Sequence, residues 1–314
     1  MKKKVSSKSI IFLYISTIVI WSTTWYPIKL SLDHVSAEIS VVYRLAIAST
    51  ILFAYICVKK LPLTYTLKQH LFIMVFGVLL YGVNLTLLYS GSYFLTSGVV
   101  AIVFSSIVIM NIINGRIFLS KTPTLRSIIG STIGIAGLVY IFWSDLKDFN
   151  WGSDSLVGLG IIILATLSAS LGNITSMRNQ KDGIPITQAN ALAMAYGAVF
   201  LTIYCMFQGI PFAFEYSGTY IGSLIYLSVF GSVLAFGFYL KLLDEIGADK
   251  AAYANLLFPI LAMIISFALG EQEINNNILI GIVIVISGNY LMNIKSKPKQ
   301  TNAEVSQASS TAKM

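Results

Sequence analysis

Carboxylates, histidines and cysteines are the residues that would carry acid–base, metal or nucleophilic chemistry. All 13 Asp and Glu residues lie in polar breaks, in tails or at the ends of apolar segments. His34 and His70 also lie at segment ends, and no His, Cys or carboxylate cluster has metal-ligand spacing. Cys57 and Cys205 stand singly inside apolar segments, which is typical of packing residues. The sequence therefore predicts no catalytic residue, no metal and no cofactor.

One cation and a set of neutral residues occupy the interior of the apolar segments. Arg44 lies part-way into the second segment, where a charge would be costly in lipid. It could reach toward the outer headgroups, pair near Glu38, or attract an anionic or carboxylate-bearing solute. The neutral polar and aromatic residues could either bond neighbouring helices or line a cavity. They are Trp21, Tyr81, Asn84, Ser106, Asn111, Ser170, Asn173, Ser228, Ser232 and Asn255.

The elements that position these residues are predicted to be membrane-spanning helices. Of the 314 residues 56% are hydrophobic and 11% charged, with a mean hydropathy of +0.79, so lipid is the expected solvent. A spanning helix needs about 20 apolar residues, and segments of that length fill the chain. The predicted all-α fold has ten spans: 10–30, 38–58, 70–90, 97–116, 125–143, 156–177, 186–207, 217–240, 250–269 and 277–294.

The basic residues predict how the chain is oriented in the membrane. With a cytoplasmic N-terminus, 18 of the 21 Lys and Arg residues lie on the cytoplasmic side, and the exceptions are Lys29, Arg44 and Lys147. By the positive-inside rule both termini are then cytoplasmic, which requires an even number of spans. Residues 1–9 are interpreted as a basic cytoplasmic tail and residues 295–314 as a disordered one. The net charge of +8 follows from this topology, so no nucleic-acid partner is predicted.

A weak internal repeat divides the chain into two halves. A displacement of 151 residues aligns residues 96–143 with 247–294 without a gap, and it matches whole spans and the break between them. Five spans per half would make the second half enter the membrane from the opposite side, as in the inverted repeats of transporters. Glycines on the fifth and tenth spans predict close helix packing, and the same faces could support a homodimer. These glycines are Gly130, Gly134, Gly137, Gly281 and Gly288.

Three short motifs follow one another along the chain: Trp21-Ser22-Thr23-Thr24-Trp25 ending in Ile28-Lys29, Tyr43-Arg44-Leu45, and Asn255-Leu256-Leu257-Phe258-Pro259 running to Leu269-Gly270-Glu271. Their order and spacing resemble the EamA-like transporters of the drug/metabolite transporter superfamily. The resemblance covers two five-helix halves, 10–143 and 156–294, joined by an outer linker at 144–155. It implies a multi-pass inner-membrane carrier of small metabolites, often amino acids, with a cavity lined by spans one, three, four, six, eight and nine.

The two halves differ at two places within this resemblance. Val108 in the first half stands where the second half has Pro259, so the fourth span is expected to be less kinked than the ninth. Leu119-Ser120-Lys121 stands where the second half has Gly270-Glu271-Gln272. Pro259 is expected to bend the ninth span and to present a carbonyl together with the Asn255 amide to the cavity.

The function predicted from these features is secondary transport rather than catalysis. We expect alternating access for a small, mostly neutral or zwitterionic solute such as an amino acid, in contact with the lipid bilayer. A carrier of sugars or nucleobase derivatives is an alternative. A membrane-embedded transferase would need clustered acids, His or a metal motif at one membrane face. A channel would need charged rings or a filter signature.

Overall fold

The fold is described by a computed structural model that covers residues 6–32, 35–147, 149, 151–268 and 276–293. Within these residues every regular element is a helix. The predicted tail at 295–314, the start of the N-terminal tail and the Leu269-Gly270-Glu271 motif lie outside the described residues.

Eight of the described helices are long and apolar enough to cross a membrane, and two further apolar helices are shorter. Each overlaps one predicted span, and we number them α1 to α10 along the chain. Their bounds are Ser7–Ile28, Ala37–Val58, Leu67–Ser92, Ser97–Leu119, Leu125–Ile141, Ser153–Lys181, Ile186–Phe207, Gly218–Ile246, Ala248–Ile265 and Asn276–Met292. The short helix Trp143–Lys147 and the first residues of α6 occupy the predicted linker.

Local capping explains where several helices begin and end. The Thr66 side chain accepts from the Gln69 backbone while the Gln69 side chain accepts from the Thr66 backbone, which starts α3 with a capping box. The Thr96 hydroxyl caps α4 by accepting from the Val99 amide. At the other end of α4, Ser120 adopts a left-handed conformation with φ 54°, which stops the helix.

The outward faces of the helices are apolar as well as the inward faces. Ile15 is 54% exposed, Leu164 is 56% exposed and Val283 is 65% exposed, although all three lie within apolar helices. Such side chains would be unfavourable in water, and lipid tails accommodate them without cost. The helical fold and its surface thus confirm a multi-pass membrane protein.

Two helices contain a π-helical segment that the sequence does not reveal. In α3 it spans Val78–Val83, and in α8 it spans Leu227–Leu234. The displacement of 151 residues that aligns the repeat carries the first segment onto 229–234, inside the second segment. π-Helical turns inside α-helices occur frequently at functional sites, because they shift the side chains that follow.

Helices α4 and α9 are both interrupted, although proline is present in only one of them. Helix α9 breaks at Tyr253, and Pro259 lies six residues further on, inside the second part of this helix. Helix α4 breaks at Ser106 without a proline. The Ser105 hydroxyl donates to the Ile102 carbonyl at 2.6 Å, and the Ser106 hydroxyl donates to the Val103 carbonyl at the same distance. Hydroxyl-to-carbonyl bonds of this kind bend helices. Helix α4 is therefore interrupted even though it has Val108 at the position where α9 has Pro259.

The glycines of α5 and α10 bring these two helices into close contact. A Cβ on Gly130 would lie 2.7 Å from the Gly288 carbonyl oxygen, and one on Gly137 would lie 3.0 Å from the Gly281 carbonyl oxygen. An early residue of α5 therefore faces a late residue of α10, which makes the helices antiparallel. The glycine face that could have supported a homodimer is covered within the chain itself.

Many of the remaining helix contacts recur when five is added to or subtracted from both helix numbers. Helix α2 packs on α7, as α5 packs on α10. Helix α1 packs on α8 and α9, while α6 packs on α3 and α4. The helices around the centre of the molecule thus come from both halves of the chain.

Candidate functional site

A cavity of about 240 Å³ lies among seven helices at the centre of the molecule. Helices α1, α3, α4, α6, α8 and α9 line it, as the resemblance implies, and α2 joins them through Arg44. The lining extends to Tyr93, which is 70% exposed, just beyond the C-terminal end of α3. The other end of the cavity is formed by buried residues of α6, α8 and α9.

One wall of the cavity is aromatic and is built around Trp21 of α1. The Trp21 ring lies 5.4 Å from the Phe236 ring, 5.0 Å from the Tyr239 ring and 6.2 Å from the Phe258 ring, measured between centroids. The contacts with Phe236 and Phe258 are edge-to-face, an arrangement that aromatic pairs favour. The wall can pack against an apolar or aromatic part of a solute.

The inner end of the cavity is a polar cluster around the Tyr239 hydroxyl. The Asn173 amide donates to this hydroxyl at 3.0 Å, and the side chains of Asn111 and Asn255 also interact with it. The Asn255 amide donates in addition to the Ala252 carbonyl at 3.0 Å, at the interruption of α9. Three asparagines from three different helices thus meet at one tyrosine.

Asn173 retains unused hydrogen-bonding capacity in this cluster. Its side-chain oxygen is buried and accepts no hydrogen bond from a described residue. Buried amide oxygens are usually paired, since an unpaired one has lost its water without compensation. This oxygen has almost no accessible surface, so it is an unsatisfied acceptor enclosed at the inner end of the cavity.

Arg44 is the charged residue of the cavity lining. Its side chain is 6% exposed, and its Nε donates to the Ser232 hydroxyl in the π-helical segment of α8 at 2.7 Å. The Tyr89 hydroxyl is a second partner. None of the described carboxylates lines the cavity or forms an ion pair with Arg44. The guanidinium is therefore directed into the protein interior and does not form an ion pair with Glu38.

The other predicted residues lie outside the cavity lining and have partners within the protein. The Tyr81 hydroxyl donates to the side-chain oxygen of Asn190. Ser170 accepts from the Asn114 amide at 2.9 Å. Ser106 and Ser228 bond carbonyls of their own helices. By contrast, Asn84 lines the cavity while its amide donates to the Ala165 carbonyl at 2.9 Å.

Sequence reasoning missed several lining residues, above all Tyr239, Tyr89, Phe236 and Phe258. The chain has 17 tyrosines and 18 phenylalanines, so residue type could not single these out. The spacing of Phe236 and Tyr239 on one face of α8, with Tyr239 opposite the asparagine spans, was the available signal. Among the described residues no three His, Cys, Asp or Glu side chains could hold a metal ion together.

The fold defines a multi-pass helical membrane protein with a central cavity. The sequence pattern of the EamA-like transporter family matches residues 8–143 and 156–294. The chain therefore belongs to the EamA-like transporter family, which confirms the resemblance found in the sequence motifs.

Relatives of similar length agree with this membership. The "Uncharacterized transporter YoaV" of Bacillus subtilis is 25% identical over 88% of this chain and 94% of its own length. The "Protein PagO" of Salmonella typhimurium is 24% identical over 91% and 92%. The "Uncharacterized inner membrane transporter YedA" of Escherichia coli strain K12 is 25% identical over 88% and 90%.

A protein of known crystal structure has the same fold. It superposes with a TM-score of 0.77 over 92% of this chain and 97% of its own, at 13% sequence identity. The helix arrangement is thus found in a solved structure.

Proposed function

We propose that this protein is a secondary transporter that moves small metabolites, such as amino acids or related zwitterionic compounds, across the inner membrane by alternating access. The observation that carries the proposal is the central cavity. Its lining combines an aromatic wall and the cation Arg44 with the amides of Asn84, Asn173 and Asn255. The lining comes from both halves of the chain, so a rearrangement of one half against the other would change access to it.

The helix contacts support two inverted five-helix halves. Gly130 and Gly281 correspond in the repeat, as do Gly137 and Gly288, yet Gly130 contacts Gly288 and Gly137 contacts Gly281. Such an exchange of partners is what a two-fold axis produces. The paired π-helical segments and the helix contacts shifted by five fit the same axis. With 17 residues, α5 and α10 reach the lower end of the spanning range, which would make ten spans.

A polar cluster lies at the end of the molecule opposite the cavity mouth. The Ser127 hydroxyl donates to a carboxylate oxygen of Asp249 at 2.7 Å. Lys121, in the loop between α4 and α5, lies near Asp249; burial lowers the pKa of Lys121, and Asp249 opposes that shift. In the proposed topology this end faces the cytoplasm, so the cavity opens outward. A reporter active only outside, fused after Lys295, should be silent; a signal there would contradict cytoplasmic termini.

Flux through the purified protein in proteoliposomes tests the function. Vesicles loaded with a panel of amino acids and nucleobase derivatives should exchange at least one labelled compound faster than vesicles without protein. A matched variant, Trp21→Ala, should reduce that exchange because it removes the centre of the aromatic wall. Absence of exchange for every compound, with correctly folded protein, would overturn the proposal.

A further inference from the structure

We propose that Arg44 anchors the negatively charged group of the solute, so that the carrier selects carboxylates with a single negative charge and an apolar body. This inference rests on the proposed transport function and names the chemical class of its solute.

The guanidinium of Arg44 is held in place against α8. Its Nε is bound to Ser232, and a Cβ built on Gly231 would lie 3.1 Å from Nη2, so the group packs over the glycine backbone. Both residues belong to the π-helical segment of α8. An arginine oriented from one side keeps its remaining N–H groups in a fixed plane, which suits the two oxygens of a carboxylate.

The charge of Arg44 is not neutralised by the described part of the chain. Its polar partners are the neutral hydroxyls of Ser232 and Tyr89. Arg178 shows the contrast, because it forms a 3.1 Å ion pair with Asp182 and stacks on Phe72 with its guanidinium carbon 3.3 Å from the ring centroid. A buried charge without a counter-ion is unfavourable, and an anionic solute would supply the missing partner.

The other lining residues limit which groups the solute can have besides its negatively charged group. Trp21, Phe236, Phe258, Leu85 and Ile107 present apolar surface, and the described lining offers one cation for one negative charge. A second negative charge on the solute would enter an apolar wall without a partner, which is strongly unfavourable. The amides of Asn84, Asn173 and Asn255 in the lining can form hydrogen bonds but carry no full charge.

Two solute series that change charge on a constant carbon skeleton test the inference. The first is leucine, 4-methylpentanoate, leucinamide and 4-methylpentanamide. The second is phenylalanine, 3-phenylpropanoate, phenylalaninamide and 3-phenylpropanamide. Binding to the purified protein is measured by thermal stabilisation in detergent, and flux is measured separately in proteoliposomes. We expect both carboxylates of at least one series to bind at least tenfold more tightly than the corresponding amides.

Variants identify the residue that provides the preference. Arg44→Gln should abolish the carboxylate preference, Arg44→Lys should keep the preference with weaker binding, and Ser232→Ala should weaken carboxylate binding severalfold. If Arg44→Gln does not fold, the other two variants still carry the comparison. Arg178→Gln is the matched control, since it removes an arginine outside the cavity and should leave the preference unchanged.

The outcomes separate the inference from the function on which it rests. Carboxylate-selective binding without flux would remove the transport function and leave the anchor in place. Flux or binding of amides equal to that of carboxylates would overturn the anchor, as would a preference that Arg44→Gln preserves. Failure of both series to bind would also overturn it.

Discussion

The contact between α5 and α10, which we call the seam, and the central cavity differ in how closely their residues pack. In the seam, glycines allow backbone to touch backbone, and a Cβ on Gly288 would lie 2.5 Å from the Gly130 carbonyl oxygen. In the cavity, large side chains leave space, and polar groups such as Arg44 and Asn173 keep hydrogen-bonding capacity. The seam is therefore expected to determine stability, and the cavity to determine which solute is moved.

The largest expected effect is on stability, at the seam. Gly288→Ala should lower the unfolding midpoint, because its Cβ would meet backbone atoms of Gly130 and Gly134 and force the helices apart. Overpacking of this kind costs about 1–3 kcal/mol. Thermal unfolding in detergent measures the change.

Gly160 provides the control for that variant. It is exposed on α6, and a Cβ there would meet nothing within 4 Å. Gly160→Ala should leave the unfolding midpoint unchanged or slightly higher. Equal melting of the two variants would show that α5 and α10 do not pack as closely as described.

Removal of the Tyr239 hydroxyl should affect transport more than stability. Tyr239→Phe keeps the aromatic ring against Trp21 but removes the group that Asn111, Asn173 and Asn255 share. We expect about a fivefold to tenfold loss of flux, since a net hydrogen bond contributes roughly 1 kcal/mol and the amides would reorient. Tyr55→Phe, at a residue 50% exposed, should transport like the wild type; a comparable loss there would remove the special role of Tyr239.

The asparagines extend the comparison to individual amides. Asn84→Leu and Asn255→Leu should reduce flux severalfold with normal membrane expression, because leucine packs in lipid but cannot bind a polar solute. Asn114→Leu should instead lower stability, since Asn114 bonds Ser170 outside the cavity lining. Flux per folded molecule and expression level are measured together. Normal flux in well-expressed Asn84 and Asn255 variants would assign both amides to structure.

The smallest expected effect concerns Pro259. Proline cannot donate to the Asn255 carbonyl, so Pro259→Ala should restore one backbone bond, straighten α9, raise the unfolding midpoint slightly and reduce turnover. Pro62→Ala, in the loop between α2 and α3, is the control. Since α4 is interrupted without a proline, wild-type flux with an unchanged midpoint would assign the α9 interruption to packing around Tyr253 alone.

The sequence by itself determined the class of molecule and much of its framework. Apolar length predicted the helices, because lipid leaves backbone groups no partner except the helix itself. Close packing was predicted from the positions of Gly130, Gly137, Gly281 and Gly288, because a glycine lets another helix approach closely whatever residue that helix presents. Residue type and position within the predicted spans selected several residues that the structure places at the cavity, namely Trp21, Asn84, Asn173, Asn255 and Arg44.

Only the tertiary structure decided which polar groups remain available. Ser106, Ser170 and Ser228 resembled the cavity asparagines in the sequence, yet each finds a partner within the protein. The role of Tyr239 depends on three helices that are distant in the chain and meet at its hydroxyl. Ser232, which binds the Nε of Arg44, lies in a π-helical turn of α8 that has no composition signal. Hydrogen-bond satisfaction is a property of pairs, and residues far apart in sequence form those pairs only when the helices pack.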